Sequence, residues 1–295
     1  MKALVDIASL GADGLRRLLD RAKEHSRALA SGDTPRRTLE GTVVGLLFFE
    51  PSTRTRMSFD VAAKRLGAMV TALDPGRSSL LKGETFRDTV ETVAALGAGV
   101  LVVRHSEVGA PARAHAWTGR PVVNAGDGTG QHPTQALADC LTLEERFGSV
   151  SGLTVAIVGD IVHSRVAGSL TQALPALGAR VVLVGPDAML PETDLETTGD
   201  LDSAVGEADV VYLLRIQKER GAEATEGYER RYQLDPARSA LMKPDAVVMH
   251  PGPINRGVEI APEVADGPRS LILRQVANGV PARMAALEAV AGVDW

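Results

Sequence analysis

Short, β-branched apolar runs of strand length alternate along the chain with longer stretches whose apolar residues recur at helical spacing. In the first half the runs are TVVGLLFF (42–49), MVTALD (69–74), VLVVR (100–104) and PVVNA (121–125). In the second they are LTVAIVG (153–159), RVVLVG (180–185), DVVYLLR (209–215) and AVVMH (246–250). Strands apolar on both faces, separated by helices, suit parallel sheets covered on either side. The pattern therefore predicts an α/β chain of two doubly wound parallel-sheet domains. The segment HPTQALADCLTLEERFGSVSG (132–152) keeps a helical stripe and ends in Gly148 and Gly152, so it reads as one long helix linking the two sheets. The expected domains are 1–150 and 151–295. The last helical pattern, about residues 280–292, suits either the second domain or a return onto the first.

Composition narrows the class. With 295 residues and 44% hydrophobic content, the chain can bury one large core or two of ordinary size. Its longest apolar runs fall short of the roughly 20 residues of a membrane span. The opening MKALVDIASLGADGLRRLLD mixes charge with apolar residues, unlike a signal sequence. The expectation is a cytoplasmic protein with no membrane partner. The single cysteine, Cys140, allows neither an internal disulfide nor a cysteine-rich zinc site, and the six histidines show no zinc spacing, so no metal is expected. A net charge of −5 with scattered Lys and Arg argues against a nucleic-acid surface and leaves local clusters as the only anion sites.

One such cluster follows the first strand of the pattern. After the strand VVGLLFF and the break Glu50-Pro51, the stripe Phe59, Ala62, Ala63, Leu66 begins a helix, with Ser52 or Thr53 as its N-cap. A helix N-terminus offers unpaired N–H groups and the positive end of the helix dipole. Ser52, Thr53 and Thr55 hydroxyls and the Arg54 guanidinium add donors suited to a phosphate. Alone, this would be an ordinary capped helix. The other strand ends, where open α/β sheets bind ligands, are also polar. They carry PGRSSLLKGET, Arg104-His105, His132 and Gln135 in the first half, and His163, Arg165, Arg215, Gln217, His250 and Gly252-Pro253 in the second. Jointly they describe a cleft lined for a substrate with several negative charges. VGDIVHSRVAG lacks the glycine spacing of a dinucleotide loop, so no nicotinamide, and no cofactor, is expected.

The blocks FFEPSTRTRMSF, SSLLKGET, VVRHSE, NAGDGTGQHPTQALADCLT, VGDIVHSRVAGS, YLLRIQKER and MHPGPINRGVEI resemble, in order and spacing, the successive signatures of the aspartate carbamoyltransferase family. The first half is shared with ornithine carbamoyltransferases; HPGP and LLRIQKER favour aspartate enzymes. The resemblance implies transfer of a carbamoyl group from carbamoyl phosphate to L-aspartate, a step of pyrimidine biosynthesis. Ornithine or another amine acceptor is the nearest enzymatic alternative, and a non-catalytic scaffold the alternative of another class.

It further implies that Ser52, Thr53, Arg54, Thr55 and Arg104 hold the phosphate, and that Thr55, Arg104 and His132 donate to the carbamoyl oxygen. Gln135 and the carbonyls around Gly252 and Pro253 accept from the carbamoyl amino group, with Gly252-Pro253 a candidate cis bond. Arg165 and Arg215 take the two carboxylates of aspartate, supported by Gln217. The run 218–232 reads as a solvated loop, which by resemblance closes over the aspartate. Ser78 and Lys82 are implied to reach a neighbouring subunit's site in a homotrimer, alone or within a larger complex with regulatory chains or a dihydroorotase.

Overall fold

The computed structural model describes residues 1–33, 36–216 and 227–293. The chain divides into two compact units, Met1–Leu141 with Ala277–Trp295, and Thr142–Val276. In chain order the first unit holds β1 (Ala3–Leu4), α1 (Gly11–Ser31), β2 (Val43–Phe48), α2 (Thr53–Arg65), β3 (Met69–Ala72), α3 (Phe86–Ala95), β4 (Val100–His105), α4 (Ala110–Thr118) and β5 (Val122–Asp127). Helix α5 (Pro133–Phe147) runs from the first unit into the second. There follow β6 (Thr154–Val158), α6 (Arg165–Ala176), β7 (Arg180–Val184), β8 (Glu196–Thr198), α7 (Leu201–Glu207), β9 (Val210–Leu213), α8 (Tyr228–Tyr232), α9 (Pro236–Ser239), β10 (Val247–Met249) and α10 (Pro262–Ala265). The chain returns to the first unit within α11 (Ile272–Ala291).

Each unit carries a five-stranded parallel sheet, ordered β1-β5-β4-β2-β3 in the first and β10-β9-β6-β7-β8 in the second. The central strands are buried along almost their whole length, as the continuous apolar runs require. Both orders reverse direction once, between β2 and β4 and between β6 and β9, and these reversals are where open α/β sheets bind ligands.

The structure bears out the two parallel-sheet domains and the linking helix, with shifted edges. The helix expected over 132–152 stops at Phe147, because Gly148, at φ +80°, leaves the helix and donates its N–H to Glu144 O at 2.8 Å. Strands β1 and β8, of two and three residues, were not anticipated; β1 is too short for a pattern and β8 is a polar edge strand, Glu-Thr-Thr. The last helix starts at Ile272, well before residue 280, and carries Pro281 inside it.

Glu288 ties α11 into the first unit. Its buried carboxylate accepts from Arg21 Nε (2.7 Å) and Nη2 (3.0 Å), from Thr38 Oγ1 (2.7 Å) and lies 2.7 Å from His25 Nε2. Burial pushes the Glu288 carboxyl upward, but the bonds from His25, Arg21 and Thr38 outweigh it and hold the group at about 2.

Candidate active site

In the first unit, β2 and β4 are paired with Phe48 opposite Arg104, so the loop after β2 and the last residues of β4 emerge together at the sheet's reversal. Phe49 N–H donates to Arg104 O at 2.9 Å, which fastens the start of that loop to β4. Ser52 is the N-cap of α2, extended at φ −160°, yet its side chain makes no capping bond. The expected cap is thus right in position and different in role, because neither the Ser52 hydroxyl nor the first N–H groups of α2 serve a side-chain cap. Thr55 is buried on the first turn, while Arg54 remains exposed and burial of part of its guanidinium lowers its pKa.

Asp127 aims the third element. At the end of β5 its carboxylate accepts from Asn124 Nδ2 (2.9 Å), Gln131 N (2.8 Å) and Gly109 N (2.7 Å), which closes the loop leading to His132. His132 is 4% exposed, and its Nε2 lies 3.5 Å from Thr55 Oγ1, so residues distant in sequence meet. Arg104 Nη1 donates to Ala125 O at 3.1 Å and its Nε lies 3.8 Å from Glu50 Oε2. Gln135 Nε2 donates to Asp139 Oδ1 at 2.9 Å, which directs the amide oxygen away from that carboxylate and leaves it to accept.

Sequence reasoning passed over Asp139, which orients Gln135, and Arg283 on α11. Arg283 is 3% exposed with its guanidinium carbon 5.3 Å from the Phe59 ring centre, and burial pushes it down to about 10, opposed by Asp139 and assisted by Arg104. Both sit in helical patterns that read as ordinary amphipathic helices.

Ser78 and Lys82 lie beyond the edge strand β3. Ser78 Oγ donates to Pro75 O at 3.2 Å, and Lys82, exposed, closes a 3₁₀ turn over Ser79–Lys82. Among the described residues Lys82 has no ion pair, and the Thr85–Asp88 capping box starts α3 just beyond it.

In the second unit, Arg165 opens α6 after β6, with Ser164 accepting from Ala167 N at 3.2 Å as N-cap. Arg215 follows β9, whose Leu213 pairs with Val158 of β6, so both arginines emerge at the reversal of this sheet. The strand ends approach closely at Gly159, at φ +132°, where a Cβ would stand 3.1 Å from Leu214 Cβ. His163 Nδ1 is held 2.8 Å from Asp160 Oδ1, which gives that histidine a local partner. The Gly252-Pro253 bond is cis, as expected.

Gln217 lies outside the described residues, as does 218–226 of the expected loop. The remainder corrects that expectation: Tyr228–Tyr232 is a helix whose two tyrosines are buried and stacked 5.2 Å apart, because their rings join the core of the second unit. Among the described residues no helix is long and apolar enough to cross a membrane, and no group of His, Cys, Asp and Glu could hold a metal ion.

Residues 2–145 match the model of the aspartate/ornithine carbamoyltransferase carbamoyl-P binding domain, and residues 151–290 that of the Asp/Orn binding domain. The aspartate carbamoyltransferase catalytic subunit of Myxococcus xanthus is 50% identical, with 98% of this chain and 99% of the relative covered. That of Parafrankia sp. is 49% identical over 99% of this chain and 97% of its own. A crystal structure of aspartate transcarbamoylase from Trypanosoma cruzi in complex with carbamoyl phosphate and aspartate has a TM-score of 0.89 at 34% identity, covering 97% of this chain and 94% of that one.

Proposed function

The chain belongs to the aspartate/ornithine carbamoyltransferase family, and we propose that it transfers the carbamoyl group of carbamoyl phosphate to the α-amino group of L-aspartate, giving N-carbamoyl-L-aspartate and phosphate. The observation that carries the choice of aspartate is the pair Arg165 and Arg215 at one sheet reversal: two guanidiniums suit two carboxylates and would repel the ammonium tail of ornithine.

The first domain, 1–150, binds carbamoyl phosphate. Ser52, Thr53, Arg54 and Thr55, with Arg104, receive its phosphate on hydroxyls, guanidiniums and the N-terminus of α2. Thr55, Arg104 and His132 donate to the carbamoyl oxygen, where negative charge grows as the amine attacks. The Gln135 amide oxygen and the carbonyls at Gly252 and Pro253 accept from the carbamoyl amino group. The second domain, 151–295, binds aspartate through Arg165, Arg215 and Gln217, with the terminal helix returning to the first.

The attacking nitrogen must be the neutral amine. Phosphate leaves with the bonding electron pair and accepts the amine's proton, and Arg54 stabilises its charge. Carbamoyl phosphate is already activated, so positioning and charge neutralisation suffice and no protein nucleophile takes part. The active species is a cytoplasmic homotrimer acting in pyrimidine biosynthesis, with Ser78 and Lys82 of one chain completing a neighbour's site. Exposure of Lys82 beyond the edge strand, with no ion pair among the described residues, supports that reading.

Incubation of the purified protein with carbamoyl phosphate and L-aspartate should release stoichiometric N-carbamoyl-L-aspartate and phosphate. Binding of both without turnover would instead mark a non-catalytic scaffold.

A further inference from the structure

Beyond β10 the chain reads His250-Pro251-Gly252-Pro253, and the two prolines leave Gly252 as the one backbone donor of the Pro251–Pro253 tripeptide. That N–H donates to His250 Nδ1 at 2.8 Å. The His250 side chain is fully buried. A ring nitrogen that accepts an N–H carries a lone pair, so the ring's proton belongs on Nε2, which faces Glu259 Oε1 at 3.1 Å. The same oxygen accepts from Asn255 N at 2.6 Å, and Asn255 Nδ2 donates to Ile216 O at 2.8 Å, the carbonyl next to Arg215. From the other side, His250 N–H donates to Gln275 Oε1 at 2.9 Å.

A histidine that merely filled the core would leave the loop's direction to packing. Here one ring nitrogen takes the tripeptide's single donor, and the other leads through a buried carboxylate to the strand end that carries Arg215. We propose that His250 is a positioning residue for the carbamoyl group: it fixes the Pro251–Gly252 peptide, from which the chain turns into the carbonyls at Gly252 and Pro253, and links that peptide, through Glu259 and Asn255, to the one beside Arg215. This inference rests on the carbamoyl transfer proposed above.

Two variants separate the two ring nitrogens. His250→Asn places Oδ1 as many bonds from Cα as Nδ1 and keeps an acceptor for Gly252. His250→Gln places its Nε2 as far out as the histidine's and keeps the donor to Glu259, but loses that acceptor. His250→Asn should retain kcat within about threefold, and His250→Gln should lose about tenfold or more in kcat with little change in the KM for aspartate, because orientation of the carbamoyl group is lost while the carboxylate sites remain. Equal kcat in the two variants, or losses that follow the fall in Tm, would overturn the positioning role.

Histidine ring-nitrogen NMR on the unmutated protein supplies a readout independent of how the variants fold. The Nε2–H tautomer is expected at His250, and an Nδ1–H or doubly protonated ring would contradict the proposal. An unmutated protein that forms no N-carbamoyl-L-aspartate would overturn the function and leave the His250 geometry to the NMR result.

Discussion

Arg54 stands on the first turn of α2 with the helix N-terminus behind it, and no carboxylate pairs with it among the described residues. An exposed cation in that position has its charge available to a leaving phosphate, whose negative charge grows along the reaction. Arg54→Ala should therefore cost on the order of 3 kcal/mol in kcat, the scale of losing a preorganised donor to a developing anion. Steady-state kinetics over both substrates reads this directly, and a change confined to KM would limit Arg54 to ground-state binding. Residues of this kind were legible in the sequence because hydroxyls and guanidiniums interrupt an apolar pattern at strand ends. Asp139, Arg283 and Glu259 were not, since the first two occupy helical stripes and the third a loop. Asp139 lies one turn from Gln135 on the same helix, so only that spacing marked it, whereas Arg283 and Glu259 take their meaning from Phe59 and His250, which the fold brings beside them.

Helices α1 and α11 meet through Glu288, and this clasp has a definite pH signature. The folded carboxyl, at about 2, lies below the ordinary glutamate value near 4.3. The unfolded chain thus binds a proton more readily, and the clasp's contribution is fully present above about pH 4.3 and fades as pH falls toward 2. From the size of the shift it contributes about 3 kcal/mol at neutral pH. Glu288→Gln should lose roughly that much in urea unfolding at pH 7 and flatten the acid limb of the stability curve. An acid limb identical to that of the unmutated protein would remove Glu288 from the account. At this scale the central strands were readable because both faces are apolar. The ends of α5 and α11 and the strands β1 and β8 depended on a glycine turn, an internal proline and a partner strand.

The two parallel sheets differ in strand order, yet each carries polar residues at the point where that order reverses, and the proposed function assigns an anion-binding site of different character to each. The first is built from hydroxyls, a helix N-terminus and a buried histidine, the second from two arginines. The proposed trimer is tested by mixing two inactive variants, Lys82→Ala and His132→Ala, under conditions that exchange subunits. Activity should return in sites that combine one chain's intact loop with another's intact pocket, and a mixture that stays inactive after verified exchange would confine Lys82 to its own chain. The account turns most on the site proposed in the second unit, which must favour an acceptor with two carboxylates. Its most direct measurement is the ratio of kcat/KM for L-aspartate and L-ornithine at saturating carbamoyl phosphate. Aspartate should exceed ornithine by tens of times or more, and equal values, or a preference for ornithine, would contradict the assignment of Arg165 and Arg215.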